Sequence, residues 1–137
     1  MNILIVEDDL TSRLMLLRML ENFGECQLAE DGHEALVLFE RALEQGRPFD
    51  LICLDYLMPE KDGEEVLKEI RGIEESRNIS HEDRVKVIMT TGLIDEDDAF
   101  TSLRGLCDAF LDKPVDRAKL RSILCDLGFL EGDDACR

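Results

Sequence analysis

Three short segments of the chain are almost entirely apolar, and each stops abruptly at polar residues. Runs of four or five apolar residues without alternation are typical of strands buried on both faces of a parallel sheet. Two further segments are shorter or more polar, which suits strands at the edges of a sheet. The five predicted strands are residues 3–6, 26–29, 51–54, 85–89 and 109–111. Segments 3–6 and 51–54 are the most apolar, and we expect them at the centre.

Between the predicted strands, apolar residues recur at helical spacing, as in Leu16, Met19, Leu20 and Phe23. Repeated strand–helix units with right-handed crossovers give a parallel sheet covered by helices on both faces. We therefore predict an α/β fold, a doubly wound (βα)5 domain with strand order 2-1-3-4-5 and its switch point between strands one and three. The length of 137 residues suits one domain, assigned to residues 1–128, with a short tail at 129–137 and no further domain visible.

Polar clusters directly follow the predicted strands. They are residues 7–9, Asp55, 90–92 and 112–114. Because the carboxyl ends of neighbouring parallel strands meet at the switch point, we expect Glu7, Asp8 and Asp55 to share one crevice. Carboxylates this close either raise a pKa or hold a cation, and oxygen ligands without Cys or His favour Mg²⁺.

Phosphoryl transfer is the chemistry that these groups suit best. One carboxylate can act as a nucleophile, as in aspartyl-phosphate chemistry. Lys113 can neutralise phosphoryl oxygens, and Thr91 can donate a hydrogen bond to one of them. Taken alone, a residue of each of these types is more often a helix cap, a turn or a loop residue. It is their matching positions at the strand ends that indicate phosphoryl transfer.

Charge and composition exclude several other classes of protein. The formal net charge of −16 opposes direct contact with nucleic acid or an anionic membrane, so any effect on transcription is expected to pass through a partner. The five cysteines lack CxxC spacing and lie mostly in apolar segments, which predicts reduced thiols rather than a disulfide framework. No apolar run is long enough to cross a bilayer, and we expect a cytoplasmic location.

Together these residues resemble the receiver domain of two-component response regulators, of the chemotaxis-regulator kind, over nearly the whole chain. The matching segments are 6–9 (VEDD), 54–59 (LDYLMP), 62–63 (DG), 89–92 (MTTG) and 113–114 (KP). Spacing and strand context agree at every one of them. The resemblance implies a flavodoxin-like fold and a regulatory phosphoprotein, not an enzyme, that assists its own phosphorylation and dephosphorylation.

The resemblance also implies a role for each site residue. Asp55 would accept a phosphoryl group from a phosphohistidine on a sensor histidine kinase or a histidine phosphotransfer protein. The implied Mg²⁺ ligands are Glu7, Asp8, Asp55 and the backbone carbonyl of Leu57. Thr91 would be the switch hydroxyl, Phe110 the switch aromatic and Lys113 the phosphoryl-binding lysine. A downstream protein would read the face formed by the fourth helix, fifth strand and fifth helix, with homodimerisation on phosphorylation as a further option.

Other functions remain alternatives. A Mg²⁺-dependent phosphatase with an aspartate nucleophile would want a second Asp two residues after the first, where this chain has Leu57. A phosphorylation-independent pseudo-receiver would lack the acids, the Thr or the Lys, all of which are present. A flavin-binding domain of similar fold needs a phosphate loop rich in Ser, Thr and Gly after the first strand, and acids occupy that place.

Four features depart from the family pattern or lie outside it. Glu7 stands where Asp is commoner, and Phe110 lacks the hydroxyl of the Tyr often found there. Leu57 and Leu93 flank the expected phosphoryl group where polar side chains can orient water, so we expect a long-lived phosphoryl group. The polar segment 74–84 is expected to be a solvated, mobile connection, with a partner-specific loop as the alternative.

Overall fold

The computed structural model describes residues 1–92, 103 and 105–130. Its five strands form one parallel sheet in the order β2-β1-β3-β4-β5, which confirms the predicted topology and its flavodoxin-like class. The strands are β1 (Asn2–Val6), β2 (Glu25–Ala29), β3 (Leu51–Asp55), β4 (Lys86–Thr91) and β5 (Ala109–Asp112). Every residue of β3 is buried, as expected for the central strand.

Four α-helices lie within the described residues, together with a 3-10 turn at His81–Asp83. The helices are α1 (Leu10–Leu20), α2 (Gly32–Glu44), α3 (Gly63–Ser76) and the C-terminal α4 (Arg117–Asp126). An aspartate caps the start of each: Asp9, Asp31, Asp62 and Asp116 all accept hydrogen bonds from backbone N–H groups at 2.7–3.2 Å. Each such cap stabilises its helix by about 1 kcal/mol. Some of the acidic residues of the chain therefore stabilise the N-termini of its helices.

The sheet separates two apolar cores, because alternate side chains of each strand point to opposite faces. Leu4 and Leu54 face the core that contains Phe39 of α2 and Leu67 of α3. Ile3, Ile5 and Cys53 face the core that contains Leu16 of α1 and Leu124 of α4. Both cores are needed to bury the central strands, which explains why these segments are apolar without alternation.

The connection between β3 and α3 depends on a glycine. A Cβ atom at Gly63 would lie 2.5 Å from the carbonyl oxygen of Asp55 and 2.9 Å from the Cα of Tyr56. The Gly63 N–H instead donates a hydrogen bond to the Tyr56 carbonyl at 2.9 Å. This close approach holds the start of α3 against the end of β3.

The prediction that the segment 74–84 is solvated is wrong at its first residue. Glu74 is 1% exposed, and its carboxylate accepts hydrogen bonds from Arg71 at 2.7 Å and from the Val85 N–H at 2.8 Å. Arg71 also donates to the carbonyls of Leu106 and Val85 and to Asp108. This buried network ties the end of α3 to the starts of β4 and β5.

The cysteines only partly follow the prediction. Cys26, Cys53 and Cys107 are free thiols, and Cys53 is fully buried. Cys125 is disulfide-bonded, so the prediction of reduced thiols is wrong for that residue.

Some expectations fall on residues outside the described part of the chain. They are the fourth predicted helix, apart from Leu103 and Leu106, the side chain of Leu93, and the tail beyond residue 130. The division into a domain at 1–128 and a tail stays a prediction. Among the described residues, no helix combines the length and the apolar character needed to span a membrane.

Two glycine substitutions on α3 should have opposite effects on stability. Gly63→Ala forces its Cβ against the Asp55 carbonyl and should lower the free energy of unfolding by about 1–3 kcal/mol. Gly72→Ala, in the same helix with open space around it, should raise that free energy by about 0.5–1 kcal/mol. Urea unfolding of the two variants measures both. Equal stability of the two would contradict the close approach at Gly63.

Candidate functional site

Three acidic side chains meet at the carboxyl ends of the two central strands. Glu7 directly follows β1 and Asp55 is the last residue of β3; their exposed fractions are 0% and 3%. Asp8 lies beside Glu7 and is exposed. One carboxylate oxygen from each of the three lies within 4.8 Å of the others. The parallel topology brings these acids together, because β1 and β3 are neighbours in register, with Val6 opposite Leu54.

Lys113 supplies the positive charge in this crevice. It directly follows β5, and its Nζ donates a hydrogen bond to Glu7 Oε1 at 2.7 Å and lies 3.0 Å from Asp55 Oδ1. Its backbone N–H donates to the Thr91 carbonyl at 2.9 Å, which fixes it beside the end of β4. One ammonium thus bridges two buried carboxylates from different strands.

The crevice is short of positive charge. Burial raises the pKa of Asp55 to about 7, the nearby Glu7 carboxylate adds to this rise, and Lys113 opposes it. Burial works against the Lys113 ammonium too, but its hydrogen bonds to Glu7 and Asp55 outweigh that cost and raise its pKa. Three carboxylates against one ammonium leave the site able to gain from a further cation.

The donor set of the crevice fits a hard divalent cation. Glu7 Oε2 is buried and has no hydrogen-bond partner among the described residues. An unpaired buried carboxylate oxygen is costly, and a cation would satisfy it. Oxygen ligands without nitrogen or sulfur suit Mg²⁺, which commonly binds one or two carboxylates and keeps several waters. The exposed Asp8 lies where such a hydrated ion could enter.

The other predicted site residues lie at the end of β4, on β5 and in the loop after β3. Thr91 ends β4 and is 4% exposed; its neighbour Thr90 pairs in register with Asp55. Phe110 lies on β5, opposite Met89, and is half-buried against the core under α2 and α3. Leu57 lies in the loop after β3 with a 49% exposed side chain. Their switching and metal-binding roles stay predictions.

The prediction from sequence missed Arg13, although it contacts the acidic loop. Arg13 is 8% exposed, and its Nη1 donates to the Glu7 carbonyl at 2.9 Å. Its Nη2 is 3.5 Å from Glu30 Oε1. The signal was available, since Arg13 shares the inward face of α1 with Leu16 and Leu20 at spacings of three and seven.

Comparison with known proteins agrees with the fold. The family model for the response regulator receiver domain matches residues 3–125. The chain therefore belongs to the response regulator receiver domain family of two-component systems, whose members are generally regulatory rather than catalytic.

Among curated proteins, the chain is 34% identical over 126 residues to histidine kinase CKI1 of Arabidopsis thaliana; the match covers 84% of this chain. It covers only 7–12% of the length of CKI1 and of two further histidine kinases, so it corresponds to one segment of such proteins.

Two of the similar solved structures bear on the site. One is the CKI1 receiver domain complexed with Mg2+ and BeF3-, at 31% identity and a TM-score of 0.74, covering 90% of this chain and 89% of that one. The other is the receiver domain of Ssk1 from Saccharomyces cerevisiae, crystallised with the phosphotransfer protein Ypd1, at 25% identity and a TM-score of 0.77, covering 100% of this chain and 97% of that one.

Replacing Arg13 tests its hold on the acidic loop. Arg13→Met retains an unbranched apolar side chain but leaves the Glu7 carbonyl without its donor, so the free energy of unfolding should fall by about 1–3 kcal/mol. Arg18→Met, on the exposed side of the same helix, should change it by less than about 0.5 kcal/mol. Chemical denaturation measures stability, and the amide shifts of Glu7 and Asp8 report the loop. Unmoved amides would show that Arg13 does not hold it.

The raised pKa of Asp55 predicts a pH-dependent stability in metal-free buffer. Folding raises this pKa from its ordinary value near 4 to about 7, so the stability that Asp55 contributes is fully present below about pH 4 and is lost as pH rises through 7. Asp55→Asn removes the titration. Its stability relative to the parent chain should therefore be more favourable at pH 8 than at pH 5.5, by roughly 1–2 kcal/mol.

Thermal and urea unfolding with a chelator at the two pH values measure this difference. Asp126→Asn, which replaces an exposed residue at the far end of α4, is the control. Its stability relative to the parent chain should be the same at pH 5.5 and at pH 8. An Asp55→Asn difference that does not vary with pH would contradict the raised pKa.

Proposed function

We propose that the protein is a receiver that accepts a phosphoryl group on Asp55 from a phosphohistidine donor in a Mg²⁺-dependent reaction and thereby switches a protein-binding face. The observation that carries the proposal is the Lys113 ammonium lying between the Glu7 and Asp55 carboxylates at the carboxyl ends of the strands. A nucleophile, a phosphoryl-binding cation and a set of metal ligands are the parts that this transfer requires.

The transfer is balanced without any further reactant. A carboxylate oxygen of Asp55 attacks phosphorus, the new P–O bond forms, and the P–N bond to the donor imidazole breaks with its electron pair left on nitrogen. Lys113, already 3.0 Å from Asp55 Oδ1, offsets the charge of the phosphoryl oxygens. The buried position of Asp55 limits the access of water to the product.

Glu7, Asp8, Asp55 and the backbone carbonyl of Leu57 would hold Mg²⁺. When bound, Mg²⁺ would supply the positive charge that the crevice lacks and favour the ionised form of Asp55. The unpaired Glu7 Oε2 supports this assignment. Glu7 would act directly or through water, because one of its oxygens is already hydrogen-bonded to Lys113.

Switching would pass along the strands next to Asp55. Thr91 lies one residue beyond Thr90, the strand position paired with Asp55. We propose that Thr91 moves and that Phe110 on β5 follows into the space vacated. The face read by a downstream protein would include β5, α4 and the helix predicted between β4 and β5; homodimerisation through it is an option.

The partners follow from the transfer itself. The related Ssk1 receiver was crystallised with a histidine phosphotransfer protein, and the related CKI1 receiver is part of a histidine kinase. We propose partners of these two kinds here, in the cytoplasm, without direct contact with nucleic acid or membrane. An independent phosphatase activity is disfavoured, because Leu57 stands where the second acid would be needed.

Incubation with acetyl phosphate tests the proposal. With Mg²⁺, intact mass should increase by one phosphoryl group; without Mg²⁺, or in Asp55→Asn, it should not. Asp112→Asn removes an exposed acid at the neighbouring strand end and should leave the modification intact. Backbone NMR with beryllofluoride should show shifts that extend from Asp55 to Gly92 and Phe110. Modification that persists in Asp55→Asn would reject the assignment of the acceptor, and no modification at all would favour a phosphorylation-independent receiver.

A further inference from the structure

A small cavity lined by basic side chains lies at the opposite end of the sheet from the acidic crevice. Its volume is about 230 Å³, and its lining includes Arg71, His81, Arg84 and Lys86. It sits where β4 and β5 begin, since Lys86 is the first residue of β4 and Cys107 and Asp108 directly precede β5. A concentration of cations is unexpected in a chain whose formal net charge is −16.

Arg84 has no anionic partner in the described ranges. Its Nε is buried without a hydrogen bond, and the residue takes no part in the ion pairs around the cavity. A buried guanidinium N–H without an acceptor is energetically unfavourable, and native proteins rarely leave one unpaired. The guanidinium fork of Arg84 is therefore available for an oxyanion at the cavity wall.

The neighbouring cations are only partly neutralised. Arg71 is paired with Glu74 at 2.7 Å and with Asp108 at 3.2 Å, and the Lys86 ammonium is 3.9 Å from Asp108. Three permanent cations thus face two carboxylates. The pairs hold Arg71 in place, and Lys86, with a 38% exposed side chain, can turn towards a ligand.

We propose that this cavity binds a phosphate monoester, with Arg84 as its principal contact and Lys86 as a second. The arginine fork matches phosphate geometry, and lysine adds a mobile point charge. The volume lies below the range of about 300–1,000 Å³ typical of drug-sized ligands, so the site suits a single phosphate group rather than a nucleotide. The proposal does not depend on phosphorylation of Asp55.

NMR titration of the full chain tests the site. The probes are inorganic phosphate, O-phosphoserine and a short peptide with one phosphoserine, all in Mg²⁺-free buffer at an ionic strength fixed with NaCl. The expected result is saturable shifts of the Val85, Lys86 and Cys107 amides. Arg84→Gln should weaken O-phosphoserine binding at least tenfold, whereas Arg47→Gln, an exposed arginine beside β2, should leave it within twofold. Unmodified serine should cause no shift.

The comparison of probes separates the two sources of the ligand. Peptide binding at least tenfold tighter than O-phosphoserine identifies a phosphate carried on a protein, and equal or weaker binding identifies a free ester. Arg84 forms no hydrogen bond or ion pair within the described residues that its replacement would break, and retention of the parent spectrum in Arg84→Gln verifies folding. Shifts that fail to saturate, that persist unchanged in Arg84→Gln, or that appear only near Gly92 in the acidic crevice would overturn the proposal.

Discussion

The hydrogen-bonded ion pairs of Lys113 with Glu7 and Asp55 are the contacts on which the site depends. They join residues up to 106 positions apart in sequence and connect the ends of β1, β3 and β5. The Lys113 ammonium offsets part of the desolvation cost of burying these two carboxylates. A buried carboxylate without such a partner would have a raised pKa and would take up a proton. The remaining imbalance is still visible in the raised pKa of Asp55. The site is therefore held together while keeping a demand for further positive charge.

The sheet provides this arrangement through its order. Two central strands, apolar on both faces, end side by side, and polar residues placed after them must meet. Local contacts then fix the loops: Gly63 lets α3 begin against the Asp55 carbonyl, and Arg13 holds the Glu7 carbonyl from below. Burial of the Asp55 carboxylate costs folding energy and leaves this group fixed and poorly hydrated.

Much of this could be predicted from the sequence. Short apolar runs give the strands, helical spacing gives the helices, and the parallel order brings Glu7, Asp8 and Asp55 together. The burial of long charged side chains was harder to predict. Arg13, Arg71 and Glu74 are buried because they bind backbone carbonyls and N–H groups of distant segments. Glu74 begins a run of polar residues, and its only local clue is the spacing of three from Arg71. The disulfide of Cys125 had no CxxC signal.

The Arg71–Glu74 network has a consequence for how such a chain can change over time. Glu74 binds the Val85 N–H, so both ends of the connection 77–84 are fastened to each other across the base of the sheet. The connection itself contributes only a 3-10 turn and mostly exposed residues. Added or deleted sequence there would leave the start of β4, and with it the pairing of Thr90 with Asp55, in place. The length and shape of this connection can therefore vary without moving the acidic crevice at the other end of the sheet.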